Sequence, residues 1–201
     1  MKKLVLIFIS VLALNASATA ADIAAGKTKA ASCAACHGAD GNGSPANAEW
    51  PKLAGQGESY LLKQMQDFTN KSRIDGTMNG MILAINSADF ADVAAYYSSL
   101  PVSHSTVEDK FFELGQTLYR AGDAERKVTA CSACHGPAGN GMSAAGFPSL
   151  SGQNPEYISK QLKMFRSNTR ENDKNAVMRD VAKLMSDEQI EAIAHYVAAL
   201  H

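Results

Sequence analysis

Every cysteine of the chain belongs to one of two copies of the pattern Cys-x-x-Cys-His. The copies are Cys33, Cys36 and His37, and Cys131, Cys134 and His135. Two thiols three positions apart can add across the two vinyl groups of one porphyrin, and the adjacent histidine can then supply an axial ligand to the iron. The spacing therefore predicts two covalently attached c-type haems, whose chemistry would be the movement of electrons.

Other chemistry is compatible with a Cys-x-x-Cys pair alone. A zinc site needs four ligands and could take one pair from each half of the chain. A dithiol oxidoreductase motif usually follows a strand in a βαβ pattern, which this chain does not contain. Neither alternative requires a histidine directly after the second cysteine in both copies, so haem attachment is the favoured interpretation.

The first 20 residues have the pattern of a secretory signal peptide. Lys2 and Lys3 form a positive region, an apolar run extends from Leu4 to Leu14, and Ala18-Thr19-Ala20 offers a cleavage site. The apolar run is shorter than the roughly 20 residues of a membrane-spanning helix, although a retained anchor stays open as the alternative. We expect cleavage after Ala20 and a periplasmic protein, which agrees with haem attachment outside the cytoplasm.

The charge of the chain is nearly balanced. Its formal net charge is −1, and removal of Lys2 and Lys3 with the signal would make it −3. Neither half has the basic excess that is typical of a nucleic-acid-binding protein. We expect no nucleic-acid partner.

The chain repeats itself with a period of 97 to 100 residues. Residues 51–56, Pro-Lys-Leu-Ala-Gly-Gln, match residues 148–153, Pro-Ser-Leu-Ser-Gly-Gln. Further matched pairs are Tyr60 and Tyr157, Gln64 and Gln161, Phe68 and Phe165, Arg73 and Arg170, Met78 and Met178, and Tyr96 and Tyr196. A repeat of this length predicts tandem domains. We place the signal peptide at 1–20 and the domains at 21–101 and 102–201, with a short linker near Pro101.

Both halves are predicted to consist of helices joined by glycine-rich loops. Apolar residues recur at helical spacing over 60–68 and 157–165, and again in the closing segments 90–97 and 190–197. A helix is expected from Glu108 to Ala121, and Ser186 with Gln189 has the pattern of a capping box. No segment alternates as a strand would, so the predicted fold class is all-α.

The second axial ligand of each iron decides what the haem can do. Methionine suits electron transfer, whereas an open position suits ligand binding or catalysis. Met78 and Met178 occupy equivalent places in the two halves, which favours them as ligands. Met81 is the rival in the first half, but the repeat places Val181 opposite it. His104, His195 and His201 have no counterparts and are interpreted as ordinary surface histidines.

Four further residues are candidates for supporting the haems. Pro51 and Pro148 lie 14 and 13 residues after the histidines and could offer a carbonyl oxygen to the second ring nitrogen of each. The alternative is that they are simple turn residues. Arg73 and Arg170 could pair with haem propionates. The alternative is that they are solvated surface charges.

The duplicated Cys-x-x-Cys-His, Pro-x-Leu-x-Gly-Gln, Tyr-x-x-x-Gln and distal methionine pattern strongly resembles the dihaem cytochrome c4 family over essentially the whole mature chain. The resemblance implies two class I cytochrome c domains with their haem propionate edges near the interface. It also implies ligation of one iron by His37 and Met78 and of the other by His135 and Met178. Departures from an exact repeat are the longer approach to the second haem motif, residues 121–129, and Trp50 opposite Phe147.

The resemblance further implies a periplasmic electron carrier, free or loosely membrane-associated. Its redox partners would be a quinol–cytochrome c reductase-type donor and a terminal oxidase. We therefore expect no enzymatic activity. The alternatives are a dihaem redox enzyme, such as a peroxidase or a sulfur-oxidising dehydrogenase, and a redox subunit of a larger oxidase complex. The first would need an open or unusual sixth ligand, against which the paired methionines argue.

Overall fold

A computed structural model describes residues 20–201, so nearly all of the predicted signal peptide lies outside the described residues. The predicted all-α fold is confirmed, with the only pairing of extended backbone in this part of the chain being two isolated antiparallel bridges, Asp123 with Val128 and Met142 with Phe147. The helices of the first half are α1 (Ile23–Lys29), α2 (Ala34–His37), α3 (Glu58–Thr69), α4 (Met78–Met81) and α5 (Phe90–Ser98). Those of the second half are α6 (Asp109–Ala121), α7 (Ser132–His135), α8 (Pro155–Arg166), α9 (Val177–Ala182) and α10 (Asp187–Ala199).

In each half the first helix crosses the last at a glycine. A β-carbon on Gly26 of α1 would lie 2.0 Å from the carbonyl oxygen of Asp92 in α5. One on Gly115 of α6 would lie 2.5 Å from the β-carbon of Tyr196 in α10. The two helix backbones can therefore touch only because these positions carry no side chain. Helix α1 was not predicted from the sequence.

The closing helices bury the faces that their periodicity predicts. Phe90, Val93, Ala94 and Tyr97 of α5 are buried, as are Ile190, Ile193, Ala194 and Val197 of α10. Helix α10 begins with the predicted capping box, in which the Ser186 hydroxyl accepts from the Gln189 amide and the Gln189 side chain accepts from the Ser186 amide. Helix α6 begins at Asp109, one residue later than predicted, because Glu108 is its N-cap with extended backbone.

The connection between the halves is bound to both of them. The Asn42 side chain in the first half accepts from the Ser103 amide at 2.7 Å and donates to the Pro101 carbonyl at 3.0 Å. In the second half, the Ala198 carbonyl accepts from the Ser105 amide at 2.9 Å. These contacts attach the short connecting segment to both halves.

None of the helices within residues 20–201 combines the length and the apolar character required to cross a membrane.

Candidate haem-binding sites

The cysteines of both motifs lie on single helical turns beside the apolar cores. Cys33 and Cys131 precede the short helices α2 and α7 and pack against the core clusters of their own halves. All four cysteines are half-buried, and none of them forms a disulfide. Burial raises the pKa of the Cys33 thiol and raises that of Cys131 to about 12.

The histidine of each motif is buried and oriented by a proline carbonyl. His37 and His135 are 6% and 5% exposed. The Nδ1 atom of His37 lies 2.8 Å from the Pro51 carbonyl oxygen, and that of His135 lies 2.9 Å from the Pro148 oxygen. A carbonyl oxygen can only accept, so Nδ1 carries the hydrogen and Nε2 has a free lone pair. Burial lowers the pKa of both rings, which keeps them neutral, as an iron ligand must be.

The glycine-rich loops after the histidines hold these proline segments in place. In the first half the Gly43 amide donates to the His37 carbonyl at 2.8 Å, and the Gly41 carbonyl accepts from the Leu53 amide at 2.8 Å. The second half repeats both contacts, from Gly141 to His135 and from Leu150 to Gly139. Gly41 and Gly139 both have φ of +74°, a conformation that favours glycine. The loop therefore fixes the carbonyl that orients the histidine.

The three candidate methionine ligands differ in how far their side chains are buried. Met78 opens α4, is half-buried and packs against the cluster of Phe68, Ile82 and Phe90. Its rival Met81 is 45% exposed. Met178 is half-buried in α9. Ligation by Met78 and Met178 stays a prediction.

The two arginines lie between the halves, and the alternative that they are solvated surface charges is wrong. Arg73 and Arg170 are 7% and 6% exposed. Their guanidinium groups donate to a set of four partners repeated in both halves: Gln64, Gln161, Tyr60 and Tyr157. Each also stacks on a phenylalanine of its own half, Phe68 at 4.7 Å or Phe165 at 4.4 Å. We call these eight residues the arginine network.

Neither of these two buried arginines forms an ion pair within residues 20–201. Two guanidinium groups that share neutral acceptors without an ion-pair partner are costly to bury. An anion at this interface would offset that cost, which fits the predicted pairing with haem propionates.

Sequence reasoning gave no role to the glutamines that bridge the halves. The carboxamide of Gln153 bonds to the backbone of Lys52 at both of its ends, and that of Gln56 bonds in the same way to Ser149. The signal that could have found them is a glutamine repeated in register at the end of Pro-x-Leu-x-Gly-Gln. The three histidines outside the haem motifs take no part in these bridging contacts. His104 and His201 are exposed, and the half-buried His195 stacks on Phe111 at 4.1 Å.

The residues present fit a covalently held haem in each half. Each half offers two thiols on one turn, a neutral buried histidine with Nε2 free, and a half-buried methionine, which in the first half packs against an apolar cluster. Residues 20–201 contain no group of three or more His, Cys, Asp or Glu that could hold a metal ion directly. The zinc alternative therefore lacks the ligand set that it would need in this part of the chain.

The chain matches the Cytochrome c family model twice, over residues 23–101 and 112–201. It is 43% identical to cytochrome c4 of Pseudomonas aeruginosa, with 100% of both chains covered. The chain belongs to the cytochrome c4 family. The crystal structure of reduced recombinant cytochrome c4 from Pseudomonas stutzeri superposes with a TM-score of 0.86 at 42% identity, covering 90% of this chain and all of that one.

Membership of the cytochrome c4 family makes this protein an electron-transfer cytochrome with two covalently bound haem c groups. A further relative is the "thiosulfate dehydrogenase electron acceptor" of Thiomonas intermedia, 38% identical over 90% of this chain and 84% of that protein.

When bound, each haem supplies a one-electron couple between ferric and ferrous iron. The chain's own residues would hold it. The cysteines would anchor it, and the proline carbonyl would fix the histidine ring and its tautomer.

Proposed function

We propose that this protein is a periplasmic carrier that passes single electrons between respiratory redox proteins, in the direction of a terminal oxidase, and has no substrate chemistry of its own. The observation that supports the proposal is the same set of candidate ligands in both halves: a buried, carbonyl-oriented histidine and a half-buried methionine in register. Ligation by both residues would leave no iron position for a substrate. Export would follow from the signal sequence at residues 1–20.

The proposed axial ligands are His37 with Met78 and His135 with Met178. A neutral histidine and a thioether add no charge to the iron, and methionine raises the reduction potential relative to a second histidine. The packing of Met78 on an apolar cluster restrains its side chain, whereas Met81 is 45% exposed. The domains proposed around these sites are residues 21–101 and 102–201.

Arg73 and Arg170 are the proposed propionate partners. They lie between the two halves, where the propionate edges of facing haems would meet. Charge-assisted hydrogen bonds to guanidinium groups would hold the propionates ionised. Each haem edge would then be fixed against the other, as electron exchange between them requires.

The electron donor has a specific alternative. The relative from Thiomonas intermedia is by its name an acceptor for a thiosulfate dehydrogenase. The second candidate function is therefore reception of electrons from a sulfur-oxidising dehydrogenase. It uses the same two sites and differs only in the donor that docks.

Ligand substitution and carbon monoxide test the closed sites. We expect Met78→Ala and Met178→Ala each to convert one haem to a form that binds carbon monoxide when ferrous, and to lower that haem's potential. Met81→Ala is the control and should change neither property. Strong carbon monoxide binding by the unaltered ferrous protein would overturn the proposal of a closed carrier.

Rapid mixing tests the partners. Ferrous protein should be oxidised by membranes that contain a terminal oxidase. Ferric protein mixed separately with a quinol–cytochrome c reductase and with a thiosulfate dehydrogenase should be reduced faster by its true donor. Failure of the oxidase membranes to oxidise it would contradict the proposed direction of transfer.

The location of the protein is tested by cell fractionation, in which recovery with cytoplasmic proteins would contradict export.

A further inference from the structure

The peptide group between Pro51 and Lys52 is hydrogen-bonded at both ends. Its carbonyl oxygen accepts from His37 Nδ1 at 2.8 Å. Its N–H, the Lys52 amide, donates to the side-chain oxygen of Gln153 at 2.8 Å. A continuous chain of hydrogen bonds therefore runs from the haem histidine of the first half to a glutamine of the second half.

The second half contains the reciprocal chain. The Pro148 carbonyl accepts from His135 Nδ1 at 2.9 Å, and the amide of the same peptide group, that of Ser149, donates to the side-chain oxygen of Gln56 at 2.8 Å. Each haem histidine is thus connected through one peptide group to a side chain of the opposite half. The connections cross between the halves.

The glutamines are held rigidly. Gln153 donates from Nε2 to the Lys52 carbonyl at 2.9 Å, and Gln56 donates to the Ser149 carbonyl at the same distance. Both glutamines are 6% exposed, and the Lys52 and Ser149 residues that they bind are 8% and 9% exposed. Since water is nearly excluded, the side-chain oxygens cannot be replaced by solvent without rearrangement.

Hydrogen bonds in series polarise one another. When a peptide N–H donates, electron density moves to its carbonyl oxygen, which becomes the stronger acceptor, by about 10–30% per bond. A stronger acceptor draws the Nδ1 hydrogen of the histidine and makes the ring a better electron donor at Nε2. Greater donation to iron stabilises the ferric state and lowers the reduction potential.

We infer that Gln153 and Gln56 are positioning residues that tune the reduction potential of the haem in the opposite domain, Gln153 acting through Pro51 on His37 and Gln56 acting through Pro148 on His135. The inference rests on the proposed axial role of the two histidines. It adds a route by which each domain sets the electronic state of the other, separate from any contact between the haems.

The test replaces each glutamine by leucine in the full-length holoprotein. Gln153→Leu should raise the potential of the first haem, with about a threefold increase in its ferrous-to-ferric ratio at fixed applied potential. For one electron that is about 28 mV, from 59 mV per tenfold. Gln56→Leu should raise only the second haem's potential. Gln66→Leu, at an exposed position on α3, is the control for the chemical change and should move neither.

The crossed pattern separates tuning from a merely structural role. Each variant removes an equivalent pair of bonds between the halves, Gln153→Leu those to Lys52 and Gln56→Leu those to Ser149, so loosening of the interface would move both haems alike. A shift confined to the haem of the mutated domain, or no shift, would overturn the inference. If Gln153→Leu does not fold, Gln153→Asn withdraws the oxygen by one methylene and should give the same direction.

A second readout is the solvent exchange of the histidine Nδ1 hydrogens, measured by nuclear magnetic resonance on protein with labelled histidine. Gln153→Leu should accelerate the exchange of His37 and leave His135 unchanged. The axial ligands are checked separately in every variant from the visible spectrum and the absence of carbon monoxide binding. Altered ligation in the unmodified protein would count against the proposed sites, whereas intact ligation with unshifted potentials would refute the tuning alone.

Discussion

The glycine crossing of the first half predicts a large cost for one added methyl group. Gly26→Ala would place a β-carbon 2.0 Å from the Asp92 carbonyl oxygen, 2.5 Å from its carbon and 3.0 Å from the Tyr96 β-carbon. Two of these three atoms belong to the backbone of α5 and cannot rotate away. The helices α1 and α5 would therefore have to separate by about 1 Å or more to reach ordinary contact.

The expected change in the free energy of unfolding combines two opposing contributions. Overpacking of a core costs about 1–3 kcal/mol, and a rigid backbone neighbour favours the upper end of that range. Replacement of glycine by alanine within a helix recovers about 1 kcal/mol. The expected net loss is about 2 kcal/mol in the free energy of unfolding. For a protein of this size it corresponds to a decrease in Tm of about 4–8 °C.

The assay is guanidinium chloride and thermal unfolding of the ferric holoprotein, followed by far-ultraviolet circular dichroism. Gly80→Ala is the matched control, because a β-carbon there meets nothing within 4 Å. It lies two residues beyond Met78, on the opposite side of the α4 turn. It should be neutral or slightly stabilising. Equal stability of the Gly26→Ala and Gly80→Ala proteins would refute the close crossing of α1 and α5.

Three other changes have defined outcomes. Arg73→Met should cost about 3 kcal/mol in urea unfolding, since three hydrogen bonds from a buried cation are lost; a cost below 1 kcal/mol would contradict its place in the network. Ser186→Ala should cost about 1 kcal/mol in the same titration by removing the α10 cap, and an unchanged midpoint would refute that cap. Replacing Cys131 and Cys134 together by alanine should halve the haem absorbance and reduce helical circular dichroism, and full helicity would show that the fold does not need the haem.

The elements that can be predicted from the sequence are those marked by residues that lie close together along the chain. The buried faces of α5 and α10 follow from apolar residues at helical spacing, and the α10 cap follows from two residues three positions apart. Helix α1 has no such signal, because its seven residues include Gly26 and two lysines. Its stability depends on a contact with α5 that is about 70 residues away in the sequence.

The burial of Arg73 and Arg170 depends on the other half of the chain in the same way. A lone arginine is predicted to be solvated, since burial of an unpaired charge is costly. Here its partners include Tyr157 and Gln161 for Arg73, 84 and 88 residues distant. The repeat shows that the same residue types occur at matched positions in both halves. Only the assembled interface shows that they meet one another.

In the arginine network, the contacts that each half makes with the other are reciprocal. Arg73 binds the tyrosine and glutamine of the second half, and Arg170 binds the tyrosine and glutamine of the first. Reciprocal contact of one surface with its own counterpart is the mark of an isologous interface, the kind that two identical subunits form about a twofold axis. The tandem chain therefore preserves, in covalent form, the geometry of a homodimer. The connecting segment fixes the two copies at equal stoichiometry and lets residues such as Trp50 and Phe147 diverge, which no symmetric dimer of one gene product could do.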